Sequence, residues 1–285
     1  MDSEGYCDAA LILLGHGTVM DADSCAPVYQ HASEMRRRRL FGSVREAFWR
    51  QLPRMTDVLG ETTAPRVFIV PLFMSNGYFV EHAIPIELGL RQPRAPGFSR
   101  VQRRGSQTLF YCQPVGTHKS MTSVVLARAR DIVVRLPCPN APPCSETALF
   151  VAGHGTDRNE DSRKPIERQV ELIRALGQYG EAHAVFLEEE PRIGDCWGMS
   201  RCPNLVVVPF FISDGLHVRQ DIPALLMGKV PEPHRFTWRN PIIRDGQRLW
   251  LTSSVGTDPL IAGVILERVA ELVAEDREIR EPERG

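Results

Sequence analysis

Ala10-Leu11-Ile12-Leu13-Leu14-Gly15-His16-Gly17-Thr18 is answered 138 residues later by Ala148-Leu149-Phe150-Val151-Ala152-Gly153-His154-Gly155-Thr156. Each is a short unbroken apolar run that ends on Gly-His-Gly-Thr. Such a run reads as a strand buried on both faces, the habit of parallel sheets covered by helices. The register persists downstream. Ser24 meets Ser162, Phe48 meets Phe186, and Pro53-Arg54 meets Pro191-Arg192. Val70-Pro71 meets Val208-Pro209, Phe73 meets Phe211, Ser75 meets Ser213, Gly77 meets Gly215, and Ile84-Pro85 meets Ile222-Pro223. After a two-residue insertion, Val115-Gly116-Thr117 meets Val255-Gly256-Thr257 at an offset of 140. Chance does not hold one register over that span, so the chain is an internal duplication.

Within each copy, apolar runs alternate with helical periodicity. Val67 to Phe73 and Leu205 to Phe211 repeat the doubly buried pattern, and Leu109 to Cys112 and Leu249 to Thr252 read as last strands. Lys164 to Leu176 sets Ile166, Val170, Ile173 and Leu176 at helical spacing. Met121 to Leu136 and Leu260 to Val273 close the copies with similar helices. The fold class is α/β: two tandem homologous domains, each a four-stranded parallel sheet flanked by helices. The first copy is 1-136 and the second 146-285. The stretch 137-145 holds four prolines in nine residues and reads as a linker. The charged segment Glu267 to Gly285 reads as a helix that frays at its end.

The 285 residues are 43% hydrophobic and 24% charged, ordinary for a globular protein. A formal net charge of −1 supplies no global field for nucleic acid or an anionic membrane. No apolar run approaches the ~18 residues of a membrane span. The polar, acidic start and the short run Ala9 to Leu14 do not make a signal-peptide core, so a cytoplasmic protein is expected. Seven cysteines are an odd number and too few for a disulfide scaffold. Cys138 and Cys144, like Cys196 and Cys202, lie six apart, wider than the usual paired metal thiolates. They read as reduced thiols. There is no Gly-x-Ser-x-Gly elbow and no P-loop, which argues against a serine hydrolase and against nucleotide-driven work.

In an open parallel sheet, ligands bind beyond the C-terminal ends of the strands. Three repeated segments fall there: Gly-His-Gly-Thr; Ser75-Asn76-Gly77 with its partner Ser213-Asp214-Gly215; and Val-Gly-Thr. Glycine permits close approach at the first, so His16 and His154 point into the mouth. Copy two continues Gly215-Leu216-His217-Val218-Arg219-Gln220-Asp221-Ile222-Pro223, which sets His217 beside His154. Two convergent imidazoles can hold a divalent transition metal and can move protons near neutral pH. Copy one has Phe79 where copy two has His217, and its nearest histidine, His82, lies three positions later.

Gly-His-Gly-Thr, Val-Pro-x-Phe-x-Ser-x-Gly and Gly-x-His-Val-x-x-Asp-Ile-Pro together resemble the sirohydrochlorin cobaltochelatase family, among the class II chelatases. The resemblance covers nearly the whole chain, once per copy, as in the long two-domain members. It implies insertion of cobalt, iron or nickel into a tetrapyrrole without ATP, in cobalamin or siroheme biosynthesis. It makes His154 and His217 the metal-binding and catalytic histidines. Copy one matches at His16, a further metal-ligand candidate, and departs at Phe79, so the complete pair is implied for copy two.

The chemistry suits those residue types. Metal insertion strips water from the ion, holds it over the ring and removes two pyrrole protons. Neutral imidazole serves as ligand and as proton acceptor. A cleft between two α/β lobes would offer a flat slot, and a monomer of two pseudo-symmetric halves is expected. Sirohydrochlorin carries carboxylates, so cations beside the motif loops are candidates to bind it: Arg158, Arg163, Lys164 and above all Arg219. Ser75, Ser213 and Phe79 complete the candidate substrate contacts, Phe79 as an apolar wall. Blander readings attach to other residues. Arg36 to Arg39 read as a solvated helix end, and Glu188-Glu189-Glu190 as a solvated acidic run in preference to a metal way-station. His82 reads as surface or structural. His31, His118, His183 and His234 have no repeated partner and read as surface residues. The competing function is a non-catalytic metal or tetrapyrrole carrier that kept the fold, an alternative that Phe79 keeps open.

Overall fold

The computed structural model describes residues 5–18, 24–155, 162–228 and 238–280. In chain order the elements are β1 (Tyr6–Gly15), α1 (Ala26–Arg38), β2 (Phe41–Phe48), α2 (Met55–Glu61), β3 (Arg66–Pro71), α3 (Ile84–Glu87), β4 (Val101–Arg104), β5 (Gln107–Tyr111) and α4 (Met121–Arg135). The second copy repeats them as β6 (Thr147–Gly153), α5 (Lys164–Leu176), β7 (Glu181–Phe186), α6 (Cys196–Met199), β8 (Asn204–Pro209), α7 (Ile222–Met227), β9 (Ile242–Arg244), β10 (Gln247–Leu251) and α8 (Ile261–Arg280).

The sheets have the same order, β2-β1-β3-β5-β4 and β7-β6-β8-β10-β9. β1 and β6 lie second from one edge in their sheets, each parallel to both neighbours. That position explains their unbroken apolar sequence. From Ala9 to Leu14 no residue is more than 2% exposed, because helices cover both faces. Alternate residues sort to opposite faces: Ala10, Ile12 and Leu14 join Val67, Ile69 and Leu109 in one core layer with Met55 and Val58 of α2.

Each sheet has five strands, not four. The fifth, β4 or β9, is an antiparallel edge strand paired to β5 or β10. Its tight turn uses positive φ at Gly105, and at Asp245 and Gly246. The strand is only three or four residues long and partly exposed, Val-Gln-Arg-Arg in β4 and Ile-Ile-Arg in β9, so no long hydrophobic run announces it.

The compact bodies also depart from the division 1-136, 137-145 and 146-285. Unit 1 is 1–118 with 259–285, and unit 2 is 119–258. α8 therefore packs in unit 1, against β3 and α1, while α4 packs in unit 2, against β8, β10 and α5. Equivalent arginines dock them. Arg268 of α8 donates to Pro114 O and Thr117 Oγ1 in unit 1, and Arg128 of α4 pairs with Asp258 and donates to Thr257 Oγ1 in unit 2. The proline-rich stretch lies inside unit 2, where Arg248 binds Cys138 O and Trp250 Nε1 donates to Leu136 O at 2.8 Å.

Three solitary histidines correct their surface reading. His31 and His118 are 1% and 2% exposed. His118 sits between Glu267 and Glu271 of α8, at 3.3 and 2.9 Å. His183 stacks on Phe150 and bonds Glu181 at 2.8 Å. His234 lies outside the described residues. All seven cysteines are free.

Candidate metal centre

Two glycines shape each Gly-His-Gly-Thr. A Cβ on Gly15 would stand 2.7 Å from Val28 of α1, and one on Gly153 would stand 2.8 Å from Ile166 of α5. Gly17 and Gly155 have φ of +74° and +67°, the left-handed region where side chains are strained. The histidine between them is pinned by its backbone. His16 O accepts from Arg50 N at 2.8 Å, and His154 O from Leu187 N at 3.0 Å and Glu188 N at 3.1 Å. The ring is fixed by its own Nδ1, which meets the carbonyl of Gly17 or Gly155 at 2.8 or 2.9 Å.

In unit 2 the second imidazole comes from a single π-helical turn, His217–Asp221, ahead of α7. Such turns recur at functional sites. It places His217 Nδ1 2.6 Å from Asp221 Oδ2. The His154 and His217 rings lie 5.1 Å apart, centre to centre, at 85°, with Phe211 beside both. A carbonyl and a carboxylate accept only, so in the neutral imidazole each Nδ1 carries the proton and the lone pair falls to Nε2. An ion about 2.0–2.1 Å from one nitrogen of each ring lies roughly 3 Å from both ring centres. Centres about 5 Å apart suit two imidazoles that share one ion. Half of each side chain is open to solvent, 45% for His154 and 51% for His217.

The acidic run divides. Glu188 stands 3.8 Å from His154 Nδ1, and Glu190 is exposed. Glu189 is built into the fold, paired with Arg163 at 3.0 Å. Arg163 also pairs with Glu167 and covers the Phe186 ring, so it holds the loop. Lys164 is exposed at the start of α5. Arg158 lies outside the described residues, as does Thr156 of the second motif.

Unit 1 keeps the backbone and changes the chemistry. Phe79 opens the equivalent π-turn, Phe79–Ala83, and its ring lies 5.3 Å from His16. Trp49 lies 5.3 Å from His16 and 4.8 Å from Phe79, under the Arg50 guanidinium. Trp49 Nε1 donates to Glu87 at 2.7 Å. His16 thus meets two aromatic rings where His154 meets an imidazole. His82, read as surface or structural, is partly exposed and stacks on the exposed Tyr78.

Ser75 and Ser213 are half-buried in the loops after β3 and β8, and Arg219 is exposed on the π-turn. Val-Gly-Thr is structural: Gly116 and Gly256 donate to Phe73 O and Phe211 O at 2.9 Å, and a Cβ there would strike the backbone of Met74 or Ile212. Sequence reasoning missed Asp221 as the partner of His217. Its signal was present, a carboxylate four residues after the histidine. It also missed Trp49, whose counterpart is the unremarkable Leu187.

A duplicated, mostly parallel-sheet body, with two imidazoles presented at the strand ends of unit 2, defines an α/β protein with a candidate metal site. The chain belongs to the CbiX family, whose model matches residues 10–132 and again 148–272. It is 38% identical over 272 residues to a probable sirohydrochlorin cobaltochelatase of Halobacterium salinarum, a match covering 92% of this chain and 91% of that one. Among solved structures, it resembles a multi-domain Deinococcus radiodurans protein described as structurally similar to chelatases, with 26% identity and a TM-score of 0.75. That match covers 92% of this chain and spans 54% of the Deinococcus one. SirB from Bacillus subtilis with Fe3+ shares the fold, with a TM-score of 0.71 at 17% identity over 95% of this chain and 97% of that one.

Proposed function

We propose that this protein inserts a divalent metal into a sirohydrochlorin-type tetrapyrrole without ATP. The observation that carries this reading is the His154–His217 pair, both Nδ1 atoms committed to acceptors and both Nε2 atoms left as ligands. The ion is substrate. Each imidazole replaces a water of the arriving ion, and the half-open site leaves its remaining coordination for the macrocycle. Insertion releases two pyrrole protons as the ion takes their place on the ring nitrogens. Each imidazole that gives up the metal regains a basic Nε2 and takes one of the two protons, and Asp221 stabilises the imidazolium formed on His217. Glu188 lies near enough to steady a charged His154.

Imidazoles alone do not choose among cobalt, iron and nickel. Cobalt is the first ion to expect, from the name of the Halobacterium relative. Seven free thiols suit the reducing cytoplasm. The test is anaerobic incubation with sirohydrochlorin and each of Co2+, Fe2+ and Ni2+, following absorbance. An enzyme yields many metallated products per chain. Stoichiometric binding of metal or tetrapyrrole without turnover would make it a carrier, and neither product nor binding with any ion would defeat both readings.

A further inference from the structure

Unit 2 holds a cavity of about 420 Å³ at the C-terminal ends of β8 and β10, within the size range of small-molecule sites. One wall is the π-turn that carries His217, through Val218 and Arg219. Another is the last turns of α4, with Arg128, Asp131 and Arg135. Trp238 and the end of β10 close it.

The duplication supplies an internal control, because unit 1 fills the same place. There Tyr111 is fully buried and its hydroxyl donates to Val80 O at 2.9 Å. Phe98 packs on Tyr111, and Arg100 lies against both rings and pairs with Glu81. The corresponding residues of unit 2 are Leu251, Trp238, Asn240 and Arg219. Leu251 is smaller than tyrosine. Asn240 is short and turned to the strand: it donates to Leu251 O, and its Oδ1 accepts from Leu251 N and Trp238 Nε1. Among the described residues, space filled in unit 1 is left open in unit 2.

The charge reverses as well. Unit 2 sets Arg128, Arg135 and Arg219 around the cavity against Asp131 and Asp214. At those positions unit 1 has arginine at 268 alone, with Glu81, Glu271 and Glu275, and it adds Arg100 to the plug. Asp214 is turned away, accepting from Ser254 N and Oγ at 2.6 and 2.7 Å. Arg128 is held by Asp258 at 3.0 Å. The Arg135–Asp131 pair is exposed, hence weak and exchangeable.

We propose that this cavity is a carboxylate-binding pocket. Guanidinium groups bind carboxylates by paired charge-assisted hydrogen bonds. The carboxylate is an arm of the tetrapyrrole, held while the ring engages the histidine pair; this source rests on the function proposed above. A free small polycarboxylate is the other source of the same chemistry.

The test grafts the filling of unit 1 into unit 2: Leu251→Tyr, Asn240→Arg and Arg219→Glu together. Unit 1 shows that these side chains pack on this backbone. Metal-free uroporphyrin, an octacarboxylate, is titrated by absorbance, and citrate by calorimetry. The graft is expected to weaken uroporphyrin about tenfold or more, the scale of one lost charge-assisted contact. Loss of citrate binding with uroporphyrin unchanged keeps the pocket and assigns it to a free acid. Unchanged binding of both overturns it. Arg135→Gln, on an exposed helix, gives the same reading if the graft does not fold: a several-fold loss supports the pocket and no loss overturns it. A wild type that binds uroporphyrin but never metallates sirohydrochlorin sinks the proposed function and not the pocket. Normal metallation with unaltered graft binding sinks the pocket alone.

Discussion

The two Gly-His-Gly mouths share a backbone and hold opposite chemistries. Both have the left-handed glycine, the same Nδ1 contact and the same π-turn. Around His154 stand His217, Asp221 and Glu188; at the matching positions around His16 stand Phe79, Ala83 and Arg50. Leu187 is replaced by Trp49, which contacts both the histidine and the phenylalanine. After duplication, the glycines and the histidine of the loop stayed and the side chains facing that histidine diverged. A mouth of imidazoles and carboxylates and an aromatic, cation-bearing mouth are thus built on one scaffold. The same histidine loop meets different chemistry according to its neighbours.

The largest effect should come from the pair itself. His154→Ala or His217→Ala removes a ligand and a proton acceptor together, and general-base catalysis alone is worth about 10²–10⁴-fold. Metallation rate should fall at least a hundredfold while thermal melting is little changed, since both side chains are half exposed. If His154→Ala keeps wild-type turnover and His16→Ala is inactive, the assignment of the two mouths is reversed.

Asp221→Asn tests the residue behind the ligand. The carboxylate orients the His217 ring and fixes its tautomer, and partners of this kind are typically worth about 10–100-fold in affinity or activity. Cobalt affinity by equilibrium dialysis should weaken within that range. An unchanged affinity would mean that the 2.6 Å contact is incidental.

The comparison can also be broken by gain. Phe79→His, Ala83→Asp and Trp49→Leu together restore in unit 1 the side chains of unit 2. Cobalt bound per chain should rise from one to two. Failure to gain an ion would place the difference in the acidic loop, where Arg50 stands for Glu188. His16→Ala should cost the least, under about tenfold in rate, because no proton acceptor on the ~10²–10⁴ scale leaves the working mouth.

How far the sequence shows these features depends on what each leaves in the pattern. β1 and β6 are legible because burial on both faces demands an unbroken apolar run. The histidine pair is legible because the motif repeats. β4 and β9 are not, since an edge strand of three or four partly exposed residues leaves no apolar run to report. The exchange of α4 and α8 is hidden too, because an amphipathic helix looks the same whichever sheet it covers. The cavity is equally silent: Tyr111 and Leu251 are both acceptable strand residues, and only the volume between them differs.

The exchanged helices give a last, smaller test. At the start of each helix connection, unit 1 has His118 where unit 2 has Asp258. Asp258 pairs with Arg128, whereas His118 is enclosed by Glu267, Glu271 and Arg268. Burial, aided by Arg268, holds the His118 pKa below its ordinary value, although both glutamates pull the other way. The unfolded chain therefore binds this proton more readily than the folded one. The stability linked to His118 is present above about pH 6.5 and is lost as pH falls below it, by at most about 1.4 kcal/mol per pH unit for one proton. His118→Gln should flatten that part of the pH dependence. The measurement is the difference in unfolding midpoint between wild type and variant from pH 7.5 to 5.5, which cancels the carboxylates both proteins share. A difference that stays constant across the range would show that His118 takes its proton equally well in the folded protein, and that the glutamates of α8 offset its burial in full.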